Sequence, residues 1–437
     1  MNQTHAKIIM ISIVLFLVNL IQSGLMELSY DESYYWMYSR FLSWGYFDHP
    51  PMVALLIWAG EFLFGHHEVG VRLPFALMNA ATFYLSARYL IGSSLNVFTM
   101  GWLSFALLSA GGFIALPDTP LLFFTALFWV LIKRYEESDN LINALMISLV
   151  VTALFYSKYF ALLIVLFTTA SYPVFLRRKS FWLVVVLTIV FYLPHIYWQW
   201  SHDFISFKFH LGGRVEKHFD IENVVNFAGT QLLLLGLFSF APFVKHFRRD
   251  RFIFLNGLAF LAFLALLSLR NRVEGNWSVS VSLVFLIGMS RYYSELSNWM
   301  KKFVIVNLSF LLVLMVVLRF LILNPSLAHK VGLKRVNEVY GWKDHVIPKI
   351  KNIDALYATN YPYAAKASFY LNRLVPSLSL NSRQSQYDLL DFKRPRSGDV
   401  INLIHTNPRL EGDPQKLFDG FKDPVILYKD FIFREKK

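Results

Sequence analysis

The sequence predicts an all-α polytopic membrane protein with a small α/β domain at its C-terminus. Hydrophobic residues make up 56% of its 437 residues and charged residues only 16%. A soluble chain of this length needs more charge to cover its surface, whereas lipid can replace water around apolar helices. Apolar windows are long up to Leu323 and shrink to strand length beyond it. The long apolar windows predict a transmembrane domain over 1–323, and the strand-length windows predict an α/β domain over 324–437.

Apolar windows that could form membrane helices recur along the first domain. A helix perpendicular to the bilayer needs roughly 20 apolar residues, and several windows are shorter, so we count about eleven spans. Pro51–Phe64 is short and follows Pro50, which is more typical of an interfacial helix. The predicted spans are Ile8–Leu25, Val69–Ile91, Leu95–Ala115, Thr119–Ile132, Leu141–Phe155, Phe160–Leu176, Phe181–Trp198, Val225–Val244, Phe252–Leu269, Trp277–Met289 and Phe303–Leu323.

Basic residues determine the predicted orientation. With the N-terminus in the cytoplasm, the cytoplasmic ends of the spans receive most of the basic residues that lie between spans, as the positive-inside rule requires. The first span follows Lys7 and lacks a small-residue cleavage site, so we interpret it as uncleaved. The extracytoplasmic side then receives the first outer loop, 26–68, and the C-terminal domain. The cytoplasmic set is Lys7, Arg88, Lys133, Arg134, Arg177, Arg178, Lys179, Lys245, Arg248, Arg249, Arg251, Arg291, Lys301 and Lys302.

Composition also excludes several classes of site. The net charge of +13 does not indicate nucleic-acid binding, because the basic residues fall in short runs between apolar segments. The absence of cysteine excludes disulfides, thiolate metal sites and a cysteine nucleophile. His66-His67-Glu68 lacks a second cluster at ligand spacing, so no metal site is predicted. The run Ala110-Gly111-Gly112 is typical of close helix packing.

The C-terminal domain shows the pattern of a small α/β fold. Short apolar runs at Ala355–Ala358, Val400–Ile404 and Val425–Tyr428 have the length of strands. Between the first two lies Tyr363–Leu371, where Ala and Phe recur at helical spacing. We therefore expect at least three strands and one helix in this domain.

Two adjacent carboxylates, Asp31 and Glu32, follow the first span in a segment rich in tyrosine. Carboxylates at a membrane boundary are costly unless they are solvated or paired. If Asp31 begins a helix, Tyr35 shares its face and Glu32 points about 100° away. A carboxylate among aromatic rings loses hydration and becomes a better proton acceptor. The same acid could instead only cap the helix and favour its dipole, and the residues leave both interpretations open.

Short polar motifs recur in order through the predicted outer loops and the C-terminal domain. They are Asp31-Glu32-x-x-Tyr35, Gly45–Met52, Val71–Pro74, Leu116–Pro120, Tyr156–Tyr159, Gly212–Arg214, Glu274–Trp277, Gly341-Trp342 and Tyr361–Leu371. This ordered set resembles GT-C glycosyltransferases, in particular bacterial members of glycosyltransferase families 39 and 83. Those families include protein mannosyltransferases and the lipid A aminoarabinose transferase. The resemblance covers nearly the whole chain and rests on the order of the motifs rather than on any one of them.

The resemblance implies roles for the matching residues. Asp31 is the expected base that deprotonates the acceptor hydroxyl, with Glu32 beside it, and Asp118 is a second acid that shapes the same site. His49 stands where the aminoarabinose transferases carry a lysine after an acid, which is a departure. Lys158 is expected at a phosphate, although it could also only extend towards lipid headgroups. The expected phosphate-binding and substrate-binding set is Arg72, Lys158, Arg214, Arg270, Arg272, Asp48, His49, Tyr35 and Glu274.

The implied function is a membrane glycosyltransferase that inverts the configuration of the transferred sugar. The expected donor is a sugar on a polyprenyl phosphate (undecaprenyl phosphate in a bacterial plasma membrane), and the acceptor is a lipid, a glycan or a protein on the extracytoplasmic side. Such a transfer needs a base for the acceptor and cations for the phosphate. No cofactor is predicted; a divalent metal stays open, because the resembled enzymes differ in metal use.

Two other functions use the same lipid-linked sugar without transferring it. A transporter or flippase predicts charges near the bilayer midplane. In this chain Arg319 is the clearest intramembrane charge and lies close to the end of its span, while most acids lie in outer loops, so transport is disfavoured. A non-catalytic binder of polyprenyl phosphate would need Arg72 and Arg214 but would tolerate the loss of Asp31.

Overall fold

The chain is mostly helical and forms two compact units. The computed structural model describes residues 3–211, 221–234, 236–333, 336, 338–380, 382–405, 414–419 and 424–433. The first unit takes in Met1–Leu20, His49–Val53 and Arg72–Leu318. The second takes in Ile21–Asp48, Ala54–Val71 and Arg319–Lys437, so it combines the C-terminal segment with most of the predicted first loop. The predicted helical fold with a small C-terminal sheet is observed.

The helices are labelled in chain order. In the described part of the chain, three π-helical turns interrupt or precede them: Ser86–Leu90, Phe254–Ala259 and Trp342–Val346. The helices are α1 (Gln3–Leu25), α2 (Tyr30–Ser39), α3 (Met52–Phe64), α4 (Glu68–Leu85), α5 (Leu95–Ser104), α6 (Ala106–Ala110), α7 (Asp118–Glu137), α8 (Leu141–Ser157), α9 (Ala161–Ser171), α10 (Lys179–Ser201), α11 (Ile205–Leu211), α12 (Ile221–Leu234), α13 (Leu237–Phe240), α14 (Val244–Phe247), α15 (Arg251–Ile253), α16 (Phe260–Ser268), α17 (Val279–Tyr292), α18 (Asn298–Ile322), α19 (Pro325–Lys330), α20 (Ile347–Ile350) and α21 (Tyr361–Leu371).

Within the described residues, four helical segments are long and apolar enough to cross a membrane. They are α1, α10, the continuous stretch Arg251–Ser268, and α18. Only 17% of the most apolar window is buried in α10 and in α18, although the mean hydropathy of these windows is 1.8 and 2.6. Apolar faces of this size require lipid rather than water around them. The total of about eleven spans stays a prediction, because the other helices are shorter or less apolar.

Two predicted spans are broken in the structure. Leu95–Ala115 is divided at Phe105, whose extended backbone separates α5 from α6. In Val225–Val244, α12 ends at Leu234 and Gly236 adopts a left-handed φ of 56° before α13. Glycine takes this conformation without a Cβ penalty and commonly ends helices. The helix predicted over Pro51–Phe64 is observed as α3, and its interfacial position stays a prediction.

A chain of polar side chains crosses the apolar core of the first unit. Trp129 of α7 donates its indole N–H to Thr168 Oγ1 at 3.0 Å, and Thr168 donates to Asn256 Oδ1 at 2.8 Å. All three residues are buried. A Cβ on the neighbouring Gly257 would lie 2.5 Å from the ring of Phe285, so the glycine lets this π-helical turn approach α17. Interhelical hydrogen bonds and small residues are the means by which helices associate in lipid.

Gly112 confirms the packing interpretation of the small-residue run. A Cβ at this position would lie 1.9 Å from Asn19 Nδ2. Asn19 of α1 donates to Asn79 Oδ1 of α4 at 3.2 Å, and Asn79 in turn donates to the carbonyl of Leu108. Glycine at 112 therefore leaves room for a buried amide bridge between two helices.

The second unit contains a four-stranded sheet with the order β1-β2-β4-β3. The strands are β1 (Leu356–Ala358), β2 (Val400–His405), β3 (Pro414–Asp419) and β4 (Pro424–Ile432). β1 and β2 are parallel, and β4 is antiparallel to both β2 and β3. The three predicted strands and the predicted helix, which is α21, are confirmed. β3 was missed, because its residues Pro-Gln-Lys-Leu-Phe-Asp carry no alternating apolar pattern.

Glu27 joins the first loop to the C-terminal segment inside the second unit. Its carboxylate accepts hydrogen bonds from the backbone N–H groups of Gly341, Trp342 and Lys343. The ammonium of Lys366, which has no exposed side-chain surface, lies 3.9 Å from the same carboxylate. Burial raises the pKa of Glu27, and Lys366 and the three N–H groups oppose this effect. Gly341 has a φ of 93°, which a residue with a Cβ rarely adopts.

Candidate functional site

Three of the ordered motifs meet at the carboxylate of Asp118 in the first unit. Asp118 begins α7, and Lys158 directly follows α8. Lys158 Nζ donates to Asp118 Oδ1 at 2.7 Å, and Asn276 Nδ2 donates to Asp118 Oδ2 at 2.9 Å. The side chains of Asp118 and Lys158 are only 11% and 10% exposed. Motifs that lie 40 and 158 residues from Asp118 in sequence therefore supply one hydrogen-bonded polar cluster with it.

The ion pair explains why Lys158 lies at a helix end in an apolar environment. A buried charge is tolerated when it has an opposite partner and additional hydrogen bonds, as here. The interpretation of Lys158 as a residue that extends to headgroups is wrong in this structure, because its ammonium contacts Asp118. The side chain of Lys158 is only 10% exposed, so little of it can reach a phosphate in this structure.

The other predicted cations have different surroundings. Arg72 in α4 is fully buried and so offers no surface to a ligand in this structure. Arg270 and Arg272 are exposed, and Arg272 Nε lies 3.3 Å from Glu274 Oε1, with the two side chains 78% and 45% exposed. An exposed pair of this kind contributes little to stability. Arg214 lies outside the described residues.

Asp31 and Glu32 lie in the first turn of α2 but have opposite environments. Ser29 is the N-cap, and Glu32 forms a capping box with it: the Ser29 N–H donates to the Glu32 carboxylate at 2.9 Å. Glu32 is buried, whereas Asp31 is exposed. The capping interpretation is thus correct for Glu32. The expectation that aromatic rings would dehydrate Asp31 is wrong, because α2 turns the tyrosines inward and leaves Asp31 at the surface.

The tyrosine face of α2 leads to Asp48. The Tyr38 hydroxyl donates to Asp48 Oδ1 at 2.5 Å, and Arg383 Nη2 lies 2.7 Å from Asp48 Oδ2. Burial is the main reason that the pKa values of Tyr34 and Tyr38 are raised well above their usual range, so both hydroxyls stay protonated. Tyr35 is buried against the rings of Tyr34 and Tyr38.

His49 is half-buried and belongs to the first unit, although it directly follows Asp48 in the chain.

The paired histidines that were considered as metal ligands also have ordinary partners. His66 lies 2.5 Å from Glu61 Oε1 and 2.9 Å from the carbonyl oxygen of Phe369. Glu68 forms an ion pair with Lys343, whose Nζ lies 2.5 Å from Glu68 Oε1. Across the described ranges, no three His, Asp or Glu side chains are grouped as metal ligands.

Two residues that contact the predicted acids from distant segments were not predicted from the sequence. Asn276 contacts Asp118, and Arg383 contacts Asp48. Asn276 lies inside the quoted motif Glu274–Trp277, so that motif was the available signal. Arg383 follows Ser382 and precedes Gln384 in a segment without a motif. Nothing in that sequence distinguishes it from other surface arginines, and only the fold brings it to Asp48.

The sequence matches one protein family and two known proteins that are all described as sugar transferases. Residues 48–198 match the family described as dolichyl-phosphate-mannose-protein mannosyltransferase. The chain is 26% identical over 221 residues to the lipid A galacturonosyltransferase RgtD of Rhizobium johnstonii, covering 46% of this chain and 45% of the relative. It is 31% identical over 111 residues to the polyprenol-phosphate-mannose–protein mannosyltransferase of Corynebacterium glutamicum, covering 24% and 21%. The matched segments thus span less than half of each curated relative.

The fold matches over a much larger part of the chain. ArnT from Cupriavidus metallidurans in the apo state superposes with a TM-score of 0.65 at 14% identity, covering 97% of both chains. The structure of the same protein bound to undecaprenyl phosphate gives 0.64 at 13% identity, covering 97% of this chain and 98% of ArnT. The chain therefore has the ArnT fold, and the resemblance to GT-C superfamily glycosyltransferases that its ordered motifs predicted is confirmed.

Proposed function

We propose that this protein is an inverting membrane glycosyltransferase that moves a sugar from a polyprenyl phosphate to an acceptor on the extracytoplasmic side. The observation that carries the proposal is the meeting of three ordered motifs at Asp118, where Lys158 and Asn276 bind one carboxylate. A chain that kept only the fold would have no need of this costly buried polar cluster. The similarity to two sugar transferases, and to ArnT bound to undecaprenyl phosphate, supports the donor class.

Asp31 is the proposed base. It is exposed on the first turn of α2. Glu32 is instead buried, and its carboxylate accepts a hydrogen bond from the Ser29 N–H. Asp31 would remove the proton of the acceptor hydroxyl as the oxygen attacks the anomeric carbon. The bond from that carbon to the phosphate oxygen breaks, and its electron pair leaves with the polyprenyl phosphate. A base within hydrogen-bond reach of the acceptor contributes about 10²- to 10⁴-fold to such a step.

Asp118, Lys158 and Asn276 are proposed to hold the first unit's polar loops in the geometry that the reaction needs. Each partner of the Asp118 carboxylate comes from a different motif, so the cluster sets the relative positions of the loops after α6, after α8 and before α17. Positional errors of an ångström at a catalytic site are costly in rate. The bilayer anchors the donor, which suits polar loops placed at the ends of membrane helices.

The test is sugar transfer from a panel of radiolabelled polyprenyl-phosphate sugars in membranes. Wild type should transfer one sugar, and Asp31→Asn should lose about 10²- to 10⁴-fold of that activity at normal expression, as expected for a missing general base. Asp391→Asn serves as the matched control, because Asp391 is also an exposed acid of the second unit. Full activity in Asp31→Asn would remove Asp31 as the base.

The same panel separates transfer from the two other functions. A flippase or transporter would move the lipid-linked sugar across the bilayer without forming a glycosylated product. A non-catalytic binder would retain polyprenyl phosphate in both the wild type and Asp31→Asn. If no donor is used and lipid is still bound, the transferase proposal is wrong.

A further inference from the structure

The second unit holds an arginine whose surroundings suit a phosphate ligand. Arg383 Nη2 contacts Asp48 Oδ2 at 2.7 Å and the Tyr361 hydroxyl at 3.4 Å. Its guanidinium carbon lies 5.0 Å from the centre of the Tyr361 ring, so the planar group rests beside an aromatic ring. Asp48 is 3% exposed at its side chain, while Arg383 is 36% exposed. The acid is an interior anchor, and the cation reaches the surface.

The anchoring of Arg383 goes beyond what a surface ion pair provides. Asp48 is held from its other side by the Tyr38 hydroxyl, and the Tyr361 ring lies 4.5 Å from the ring of Tyr34 on α2. The backbone N–H of Gln386 donates to the Tyr34 hydroxyl at 2.7 Å, which fixes the segment that carries Arg383. A guanidinium held in this way loses little side-chain entropy when it binds a ligand, and its fork of N–H groups fits phosphate oxygens.

The charge of Asp31, the proposed base, also acts on the Tyr361 hydroxyl that contacts Arg383. Burial raises the pKa of the Tyr361 hydroxyl, Arg383 lowers it, and Asp31 and Asp48 raise it further. The hydroxyl therefore lies in the electrostatic field of all three charged groups. Arg383 contacts Asp48 and Tyr361, whereas Lys366 and Lys343 pair with Glu27 and Glu68.

We propose that Arg383 binds the phosphate of the polyprenyl-phosphate donor, with Asp48 and Tyr361 as the residues that position its guanidinium. This inference rests on the proposed function. When the bond to the anomeric carbon breaks, the electron pair moves to the phosphate, and a preorganised cation stabilises the charge that develops there. A guanidinium is charged at every working pH, and the one that pairs with Asp48 comes from the C-terminal segment.

The experiment measures binding of undecaprenyl phosphate alone to the purified full-length protein in detergent. Arg383→Gln should weaken binding at least about tenfold, and Arg383→Lys should weaken it less because the charge is kept but the fork is lost. Arg394→Gln is the matched control: Arg394 lies in the same segment, is 56% exposed and pairs with Asp388 at 3.5 Å. It should bind like the wild type.

A second readout separates ligand binding from a structural role. Arg383→Lys should raise the KM for the donor and lower kcat while its melting temperature stays near that of the wild type. If Arg383→Gln and Arg383→Lys both bind undecaprenyl phosphate within twofold of the wild type, the inference is wrong and the proposed function survives. If the wild type itself binds no undecaprenyl phosphate, the proposed donor class falls and the inference falls with it.

Discussion

Asp31 and Glu32 are neighbouring acidic residues with different surroundings. The Glu32 carboxylate accepts the Ser29 N–H and is buried, so it serves the start of α2. Asp31 is exposed, and its role as the base is a proposal. The sequence located the acids and offered both roles, but it could not assign them. The assignment depends on Ser29 being the N-cap, which places Glu32 at the third helical position, where a capping box requires a Glu or Gln.

His66 has a hydrogen-bond acceptor at each ring nitrogen. Nδ1 faces the Glu61 carboxylate at 2.5 Å, and Nε2 faces the Phe369 carbonyl at 2.9 Å. Both nitrogens can donate only when the imidazole is protonated. Burial alone would lower the pKa of His66, but the hydrogen bonds to Glu61 and Phe369 and the charge of Glu61 outweigh it, so the pKa is raised.

This pairing predicts a pH-dependent contribution to stability. A histidine whose pKa is raised by folding stabilises the protein at pH values below its unfolded pKa of about 6.5, and that stabilisation is lost as pH rises through the folded pKa. His66→Gln should therefore lower the melting temperature more at pH 5.5 than at pH 8.5. Thermal denaturation at both pH values checks this. In Glu61→Gln the added effect of His66→Gln should be nearly independent of pH; an unchanged pH dependence would contradict the assignment.

At the scale of elements, one carboxylate of the second unit accepts hydrogen bonds from several backbone N–H groups. Glu27, just after α1, accepts three successive backbone N–H groups from Gly341, Trp342 and Lys343. The π-helical turn Trp342–Val346 begins at those groups, so Glu27 acts at its positive end. Lys366 of α21 adds a buried positive charge and also donates to the carbonyl oxygens of Glu338 and Val339.

Glu27→Ala should be among the most destabilising single substitutions in this unit. It leaves Lys366 buried without its acid, and breaking a buried ion pair costs about 3–5 kcal/mol. Glu27→Gln keeps an acceptor oxygen and should cost less. Glu137→Ala, at an exposed position on α7, should stay within about 0.5 kcal/mol. Thermal melting of the detergent-purified variants gives the order, and equal melting temperatures for Glu27→Ala and Glu137→Ala would contradict the role of Glu27.

At the scale of the whole molecule, the predicted orientation in the membrane rests on the distribution of basic residues and can be tested directly. The chain contains no cysteine, so a single introduced thiol is the only one that a maleimide can label. Ser138 and Ser397 are both exposed in the structure. Ser138 follows the predicted cytoplasmic end of α7, and Ser397 lies in the predicted extracytoplasmic domain.

A membrane-impermeant maleimide should label Ser397→Cys through the extracytoplasmic face of the plasma membrane, and Ser138→Cys only after that membrane is permeabilised. The positive-inside distribution is the physical reason for this order. The same substitution type at both positions makes the two variants a matched pair. Labelling of Ser138→Cys before permeabilisation would reverse the predicted topology and would place the proposed base on the wrong side for an extracytoplasmic acceptor.

The sequence by itself determined the helical membrane class, most of the helices and three of the four strands. Those features depend on local composition and periodicity, which a window of residues contains. It also located Asp31, Asp118 and Lys158 through ordered motifs. Only the tertiary structure decided what these groups contact: the pairing of Lys158 with Asp118, the burial of Arg72, and the approach of Arg383 to Asp48. These outcomes depend on contacts between residues far apart in the chain, and no local pattern records which distant charge will meet a buried carboxylate.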